Sequence, residues 1–514
     1  MKQIFILTCL LGPVISLKAQ QRATGAQFNA TTIAATPIKL PLSFRSFRGL
    51  PAAYSLEKFC PTPGDQGEHG TCVAFANGYG VATILYAINH NITDRDLINE
   101  YAFSPTYLYE QIKHPEDGNC QKGSDPVKAI ITMIEGGDAL LKTVPYQCGL
   151  PLQEHARKEA ANYKLKDAAI LFAGKGLLEG DTYVKDAEAM IDITKKAILE
   201  GTPVSTGFYL PESFFKVKSD TWNTVPEDSL SDWKHAAHAM VVVGYDDQKA
   251  GGAFRVMNSW GTGWGDGGFI WVRYADYAKW CVLALQVFGD PGTPSPKPAP
   301  SPQPAPQPVP QPGPEPVPAP SPAPRKSALS GSLEFKLSNG ANMPVNKTSS
   351  RNLVVEEALA STEDLVAYTM ADSYGSGTKF RFFLNIEQEA YVYAFASDLT
   401  GKVNRILPYD DITSTHVGRN SVVAFPSDTK VIKLDENKGS DYLLILFSTE
   451  KLDAAGIAAK MNASQGGLSA KIKQVLGNKL IDKSLVHYEA LQAGFKYEGD
   501  QPGIVPLMIE ISHH

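Results

Sequence analysis

The stretch from Pro291 to Lys326 constrains this 514-residue chain more than any other. Proline alternates there with Ala, Ser, Gln or Val almost throughout. Proline locks φ and removes the amide donor, so neither a helix nor a sheet ladder can run through such a segment. With few large apolar side chains it cannot build a core and stays extended. At ~3.1 Å per residue it could hold its ends up to about 100 Å apart. It therefore acts as a spacer. It separates a first domain, Pro51 to Asp290, from a second, Ser327 to His514, which is expected to be mechanically independent.

The bulk numbers exclude several classes. A hydrophobic content of 43% is ordinary for globular protein. A net charge of −6 and a pI near 6.0 give no electrostatic case for a nucleic-acid partner. No apolar run beyond the N-terminus reads as a membrane span. Residues 1–19 read as a secretory signal: Lys2 gives a positive start, Ile4 to Leu17 an apolar core, and Ala19 a small residue at the cut. An exported protein, periplasmic or extracellular, is expected. Residues 20–50 form a polar leader without a convincing helical period.

In Asp65 to Ala76, DQGEHGTCVAFA, Gln66 precedes a short Gly-bearing run and then Cys72. Beyond Cys72, apolar residues recur at steps of three and four from Ala74 to Ile88, the spacing of a buried helix face. Cys72 thus sits at the first turn of a helix, with Thr71 as the expected cap. The positive helix end lowers a thiol pKa and the neighbouring glycines expose it, the two properties a nucleophilic thiolate needs.

This segment resembles the active-site stretch of the papain-like cysteine peptidases, with Val73 in place of the usual Trp and His69 where many members carry a Cys. Two further segments extend the resemblance. In KHAAHAMVVVGYDD, His238 directly precedes an apolar strand. In RVMNSWGTGWGDGGFIWVRY, Asn258 ends a strand and is followed by Trp260 and Trp264 in a Gly-rich turn. That turn runs into a strand rather than a helix, which excludes a phosphate loop. The resemblance covers roughly Pro51 to Asp290. It implies an α+β fold with a helical half, a β half and the active site between them. Cys72 and His238 stand 166 positions apart (238 minus 72), more than the roughly 130–150 of familiar relatives, so an insertion is expected around Asp181 to Trp233.

The resemblance also implies the chemistry. Cys72 is the nucleophile, His238 its base and acid, and Asn258 the orienting partner of His238. Gln66 and the Cys72 amide form the oxyanion hole, and Trp260 shields the His–Asn pair. The substrate is a peptide or protein. Acyl transfer of transglutaminase or amidase type on the same triad, or a non-catalytic binding scaffold, are the alternatives. No cofactor is expected. His235 lies three residues before His238, but no third ligand accompanies the pair, so no metal site is expected. Relatives usually carry a longer pro-segment; residues 20–50 are expected to hold the cleft only weakly.

After the signal, Cys60, Cys72, Cys120, Cys148 and Cys281 remain, an odd count that flags a free thiol. Connectivity is open from sequence; the expected pairs are Cys60–Cys281 and Cys120–Cys148.

Beyond the linker, Phe380 to Ile386 and Tyr391 to Phe395 alternate apolar with polar residues, and Leu443 to Phe447 reads as a buried strand. Asp453 to Met461 and Leu468 to Val475 read as short helices, and Pro506 to Ile511 as a last strand. This half resembles a β-rich accessory domain of unknown function found in bacterial exported or signalling proteins. It is read as a module that binds a protein or a cell-surface component.

Overall fold

The computed structural model describes residues 22–174, 177, 186–230, 237–289, 327–348, 363–398, 400–499 and 502–514. The signal-like segment, the start of the leader, His235 and the Pro-rich linker lie outside the described residues.

The helical half centres on the helix Cys72–Asn89, whose middle, Phe75–Ala82, is wound as a π-helix. It is long and apolar enough to cross a membrane, contrary to the expectation of no such run, yet it is the buried core helix of the domain. Gly80 lets it press onto the sheet: a Cβ there would meet Val241 Cγ2 at 2.8 Å. The helix Pro105–Ile112 starts at its proline, with Ser104 Oγ accepting from the Tyr107 amide. The helix Pro126–Glu135 is capped by Asp125. Thr71 holds the N-cap position of the central helix but makes no side-chain cap bond; its hydroxyl pairs with Tyr146 Oη at 2.8 Å.

The β half is a sheet whose central order is Asp167–Ala173, Cys281–Phe288, Val204–Phe208, His238–Asp246, Ala253–Met257, Phe269–Arg273. The stretch expected to be an insertion supplies core: Val204–Phe208 is an interior strand, and Ala187–Leu199 packs its buried face on the sheet. The fold is α+β, as expected.

The C-terminal half is a β-rich sandwich. A six-stranded sheet containing Ser327–Leu337 and Lys379–Ile386 faces a seven-stranded sheet containing Ala390–Ser397, Gly439–Ser448 and Ile504–His513. Leu333, Phe382, Val392, Ile445 and Ile509 meet in one buried core cluster. The helices Ala454–Ala463 and Leu468–Leu476 cover the seven-stranded sheet with a second apolar cluster.

The expected independence of the two halves does not hold. Phe288 meets the His416 ring edge to face at 3.8 Å, and Lys451 pairs with Asp167 at 3.3 Å. Lys196 Nζ donates to the carbonyls of Arg419 and Asn420 at 3.1 and 2.8 Å. The leader joins the halves. Its strand Ile38–Lys39 pairs on one side with Ile170 and on the other with Thr413 and Ser414, carrying the catalytic sheet into the C-terminal half. The leader also forms a helix, Ala30–Ala35, with Ile33 buried in the catalytic core. That helix is only a turn and a half long, too short to show a period.

Cys120 and Cys148 are joined. The expected Cys60–Cys281 bridge is absent. Both are buried free thiols, Cys60 after a short 3-10 turn and Cys281 at the first position of a sheet strand beside Phe208.

Candidate active site

Cys72 opens the central helix and His238 opens the facing strand, so each catalytic candidate comes from the end of a rigid element. The two elements pack together, and the Ala239 amide lies within bonding reach of the Cys72 thiol. His238 Nε2 and Asn258 Oδ1 are 2.7 Å apart. Asn258 follows the strand Ala253–Met257, and its Oδ1 also accepts from the Ser259 amide at 2.7 Å. His238 Nδ1 is buried without a hydrogen-bond partner. Trp260 stacks on the imidazole, with centroids 4.7 Å apart and planes 28° from parallel. Trp264, Phe214 and Phe215 pack around Trp260 and exclude water from that side.

Gln66 is fully buried and held from two sides. Ser259 Oγ donates to its Oε1 at 2.6 Å, and its Nε2 donates to the His69 carbonyl at 2.7 Å. One amide hydrogen remains for another acceptor. Tyr146 Oη donates to the Gln66 carbonyl at 2.8 Å. Ser259 and Tyr146 were not singled out from sequence. Ser259 sits beside Asn258 in a motif whose other members drew the attention, and Tyr146 stands 74 positions beyond Cys72 (146 minus 72) with no local pattern.

The leader runs through this site. The amides of Gly25 and Ala26 donate to the Ala237 carbonyl on the β half at 3.1 and 2.8 Å. On the helical half, the Gln27 amide donates to the Ser124 carbonyl and the Ser124 amide to the Gly25 carbonyl, both at 2.9 Å. Trp260 Nε1 donates to the Ala23 carbonyl at 3.0 Å, and Arg22 Nη1 to the Trp260 carbonyl at 3.2 Å. The approach is so close that a Cβ at Gly25 would sit 2.3 Å from the Gly70 carbonyl oxygen.

The electrostatics follow from that cover. Cys72 and His238 are both 0% exposed. Burial pushes the Cys72 thiol up to about 12, against the pull of the Ala239, Val73 and Gly25 amides. Burial also pushes the His238 imidazole down to about 4, with the Asn258 bond opposing it. With the leader in place the pair is neutral. The expectation of an exposed thiol of lowered pKa is thereby corrected: desolvation outweighs the helix end. No metal group is built around His238 among the described residues; the one candidate cluster, Glu110 with Cys120 and Cys148, is spent in the disulfide.

A cysteine at a helix start, a histidine on the facing strand and an asparagine bonded to that histidine come together where the helical half meets the β half of an α+β fold. Residues 57–289 match the papain family cysteine protease, so this chain carries a cysteine peptidase domain of that type. Residues 373–451 match a domain of unknown function, DUF4384. Among solved structures, the chain is similar to xylellain, a cysteine protease from Xylella fastidiosa, at 20% identity and a TM-score of 0.41, covering 52% of this chain and 97% of that one. It is similar to a procathepsin B from Trypanosoma congolense at 20% identity and a TM-score of 0.39, covering 52% and 86%. Digestive procathepsin L 3 of Tenebrio molitor larval midgut aligns at 17% identity and a TM-score of 0.36, covering 50% and 77%.

Proposed function

We propose that this chain is an exported peptidase that cleaves peptide bonds through Cys72, His238 and Asn258, with Gln66 and the Cys72 amide as oxyanion donors. The observation that carries the reading is the buried 2.7 Å contact between His238 and Asn258 under Trp260, with the other ring nitrogen left free. A histidine so held presents Nδ1 in one fixed orientation, as a group that shuttles a proton to and from a thiol requires.

Once water and substrate replace the leader, proton transfer from Cys72 to His238 Nδ1 gives a thiolate beside an imidazolium. The thiolate attacks the scissile carbonyl carbon. The oxygen, now negative, takes hydrogen bonds from the Cys72 amide and the remaining Gln66 amide hydrogen. His238 then protonates the leaving amine and the C–N bond breaks, leaving a thioester. Water, deprotonated by His238, attacks the thioester, and Cys72 leaves as the thiol with a carboxylate product. Export is supported by the signal-like residues 1–19 and by the Cys120–Cys148 disulfide, which persists in oxidising compartments.

The test is a peptide library, with a primary amine added, incubated with the protein after limited proteolysis of its leader. New carboxyl termini support hydrolysis. Amine incorporation without cleavage supports acyl transfer, and no product with no alkylation of Cys72 supports a scaffold.

A further inference from the structure

The six cleft residues of the leader are a small part of how it is held. An extended piece that buries little area binds weakly when its flanks are free. Here the chain leaves the cleft, passes through the strand Ile38–Lys39 and enters the C-terminal half. Leu40 is buried in the core of the C-terminal sandwich, among residues such as Phe382 and Val423. The Ser43 amide donates to the Val422 carbonyl at 2.7 Å, and the Ser43 hydroxyl donates to Asp428 Oδ1 at 2.8 Å. The Phe44 amide donates to Asp428 Oδ2 at 2.7 Å, so Asp428 holds the start of the short 3-10 turn Phe44–Phe47, which Ser43 caps. Arg45 pairs with Glu334 and lies 3.8 Å over the Phe383 ring. The Ser46 hydroxyl exchanges hydrogen bonds with Val422, at 2.8 and 3.0 Å. The chain then returns to the catalytic domain, where Ala53–Ser55 pairs with Asp246, Tyr245 and Gly244.

A single buried carboxylate joins the three parts. Glu200, on the catalytic domain, accepts from Gln286 Nε2 at 2.8 Å and from Ser421 Oγ of the C-terminal half at 3.0 Å. It also pairs with Lys39 of the leader at 3.4 Å and with Lys196 at 3.5 Å.

Resting on the peptidase reading of Cys72, we propose that the C-terminal domain is an inhibitory clamp whose cargo is the leader of its own chain. Its grip on residues 38–46 keeps residues 22–27 across the cleft, and separating the domain from the leader opens the enzyme. This gives the C-terminal half a function, and makes the assembled chain, rather than the leader alone, the closed form. Cutting the linker alone does not open it, because the contacts that grip residues 38–46 lie outside the linker.

The experiment uses the full chain and two variants. Asp428→Ala removes the acceptor of the Ser43 hydroxyl and the Phe44 amide. Leu40→Asp adds a carboxylate to an apolar site on the clamp. Neither residue touches the catalytic groups. Amide hydrogen exchange of residues 25–27 is measured in a Cys72→Ala background, so the readout needs no activity. The clamp predicts a rise of tenfold or more in exchange at 25–27 in both variants, and in the active background a matching rise in Cys72 alkylation by iodoacetamide. Exchange at 25–27 that stays at the parent rate in both variants overturns it, because the cleft then holds the leader unaided. Peptide turnover is read separately. An opened cleft without turnover leaves the clamp standing and removes the peptidase assignment.

Discussion

His238 Nε2 faces Asn258 Oδ1 across 2.7 Å, buried beneath the Trp260 ring. His238 opens one strand and Asn258 directly follows the strand paired with it, so the ends of two rigid elements set the contact. In the proposed mechanism Asn258 acts only through His238, by orienting it. In leader-cleaved protein, His238→Ala should cost about 10²–10⁴-fold in kcat, the usual worth of a positioned acid–base group. Asn258→Ala should cost less, and its loss should grow at pH values where the ring is neutral and free to turn. Steady-state kinetics across pH checks this. A loss from Asn258→Ala as large as that from His238→Ala would give Asn258 a direct role.

Ser259 supplies the hydroxyl that fixes the Gln66 amide, donating to Oε1 at 2.6 Å. Without it the Gln66 side chain loses one of its two restraints. A neutral hydrogen bond of this kind is worth about 1 kcal/mol, and a kcat loss of roughly tenfold with little change in KM is expected for Ser259→Ala. A KM effect alone would place Ser259 in substrate binding instead.

How much of this could be read beforehand differs by element. Cys72, His238 and Asn258 each sit in a dense local motif, and the helix Pro105–Ile112 carries its own cap signal in Ser104 and Pro105. The strand Asp167–Ala173 is buried on both faces, so no alternation marks it in the sequence. The strand Cys281–Phe288 is unmarked for the same reason. The leader's role was hidden because it acts largely through backbone amides and carbonyls, which leave no mark on side-chain pattern. Its polar residues suggested a loose tether, whereas Leu40, Ser43 and Ser46 are bound by a domain more than 280 residues away in sequence (327 minus 46). Cys60 and Cys281 lie near the two ends of the domain in sequence, but sequence proximity to a boundary does not set Cβ geometry.

Glu200 makes the closed assembly sensitive to acid. Burial works to raise its carboxyl pKa, but Lys39, Lys196 and the donors Gln286 and Ser421 outweigh burial and hold it below the ordinary value. A carboxyl depressed in the closed state contributes stability that is complete above its ordinary pKa, about 4.3, and is lost as pH falls through the depressed value. The urea midpoint of the closed chain should thus show no step from Glu200 between pH 5 and 8 and should drop below about pH 4. Glu200→Gln should remove that step and cost about 3–5 kcal/mol at pH 7, because Lys39 and Lys196 are left buried with no counter-charge. An unchanged midpoint at pH 7 would show that this carboxylate does not hold the parts together.

In the proposed mechanism Cys72 alone performs the nucleophilic chemistry, while Cys60 and Cys281 are inert core thiols. Burial holds both of those thiols in the neutral form, Cys281 up at about 12 and Cys60 higher still. The direct measurement treats leader-cleaved protein with a peptidyl epoxide and follows intact mass, peptide mapping and peptide hydrolysis together. The expected result is one adduct, mapped to Cys72, with hydrolysis lost in step with labelling, and neither adduct nor hydrolysis in a folded Cys72→Ala variant. Hydrolysis that survives in Cys72→Ala would contradict it.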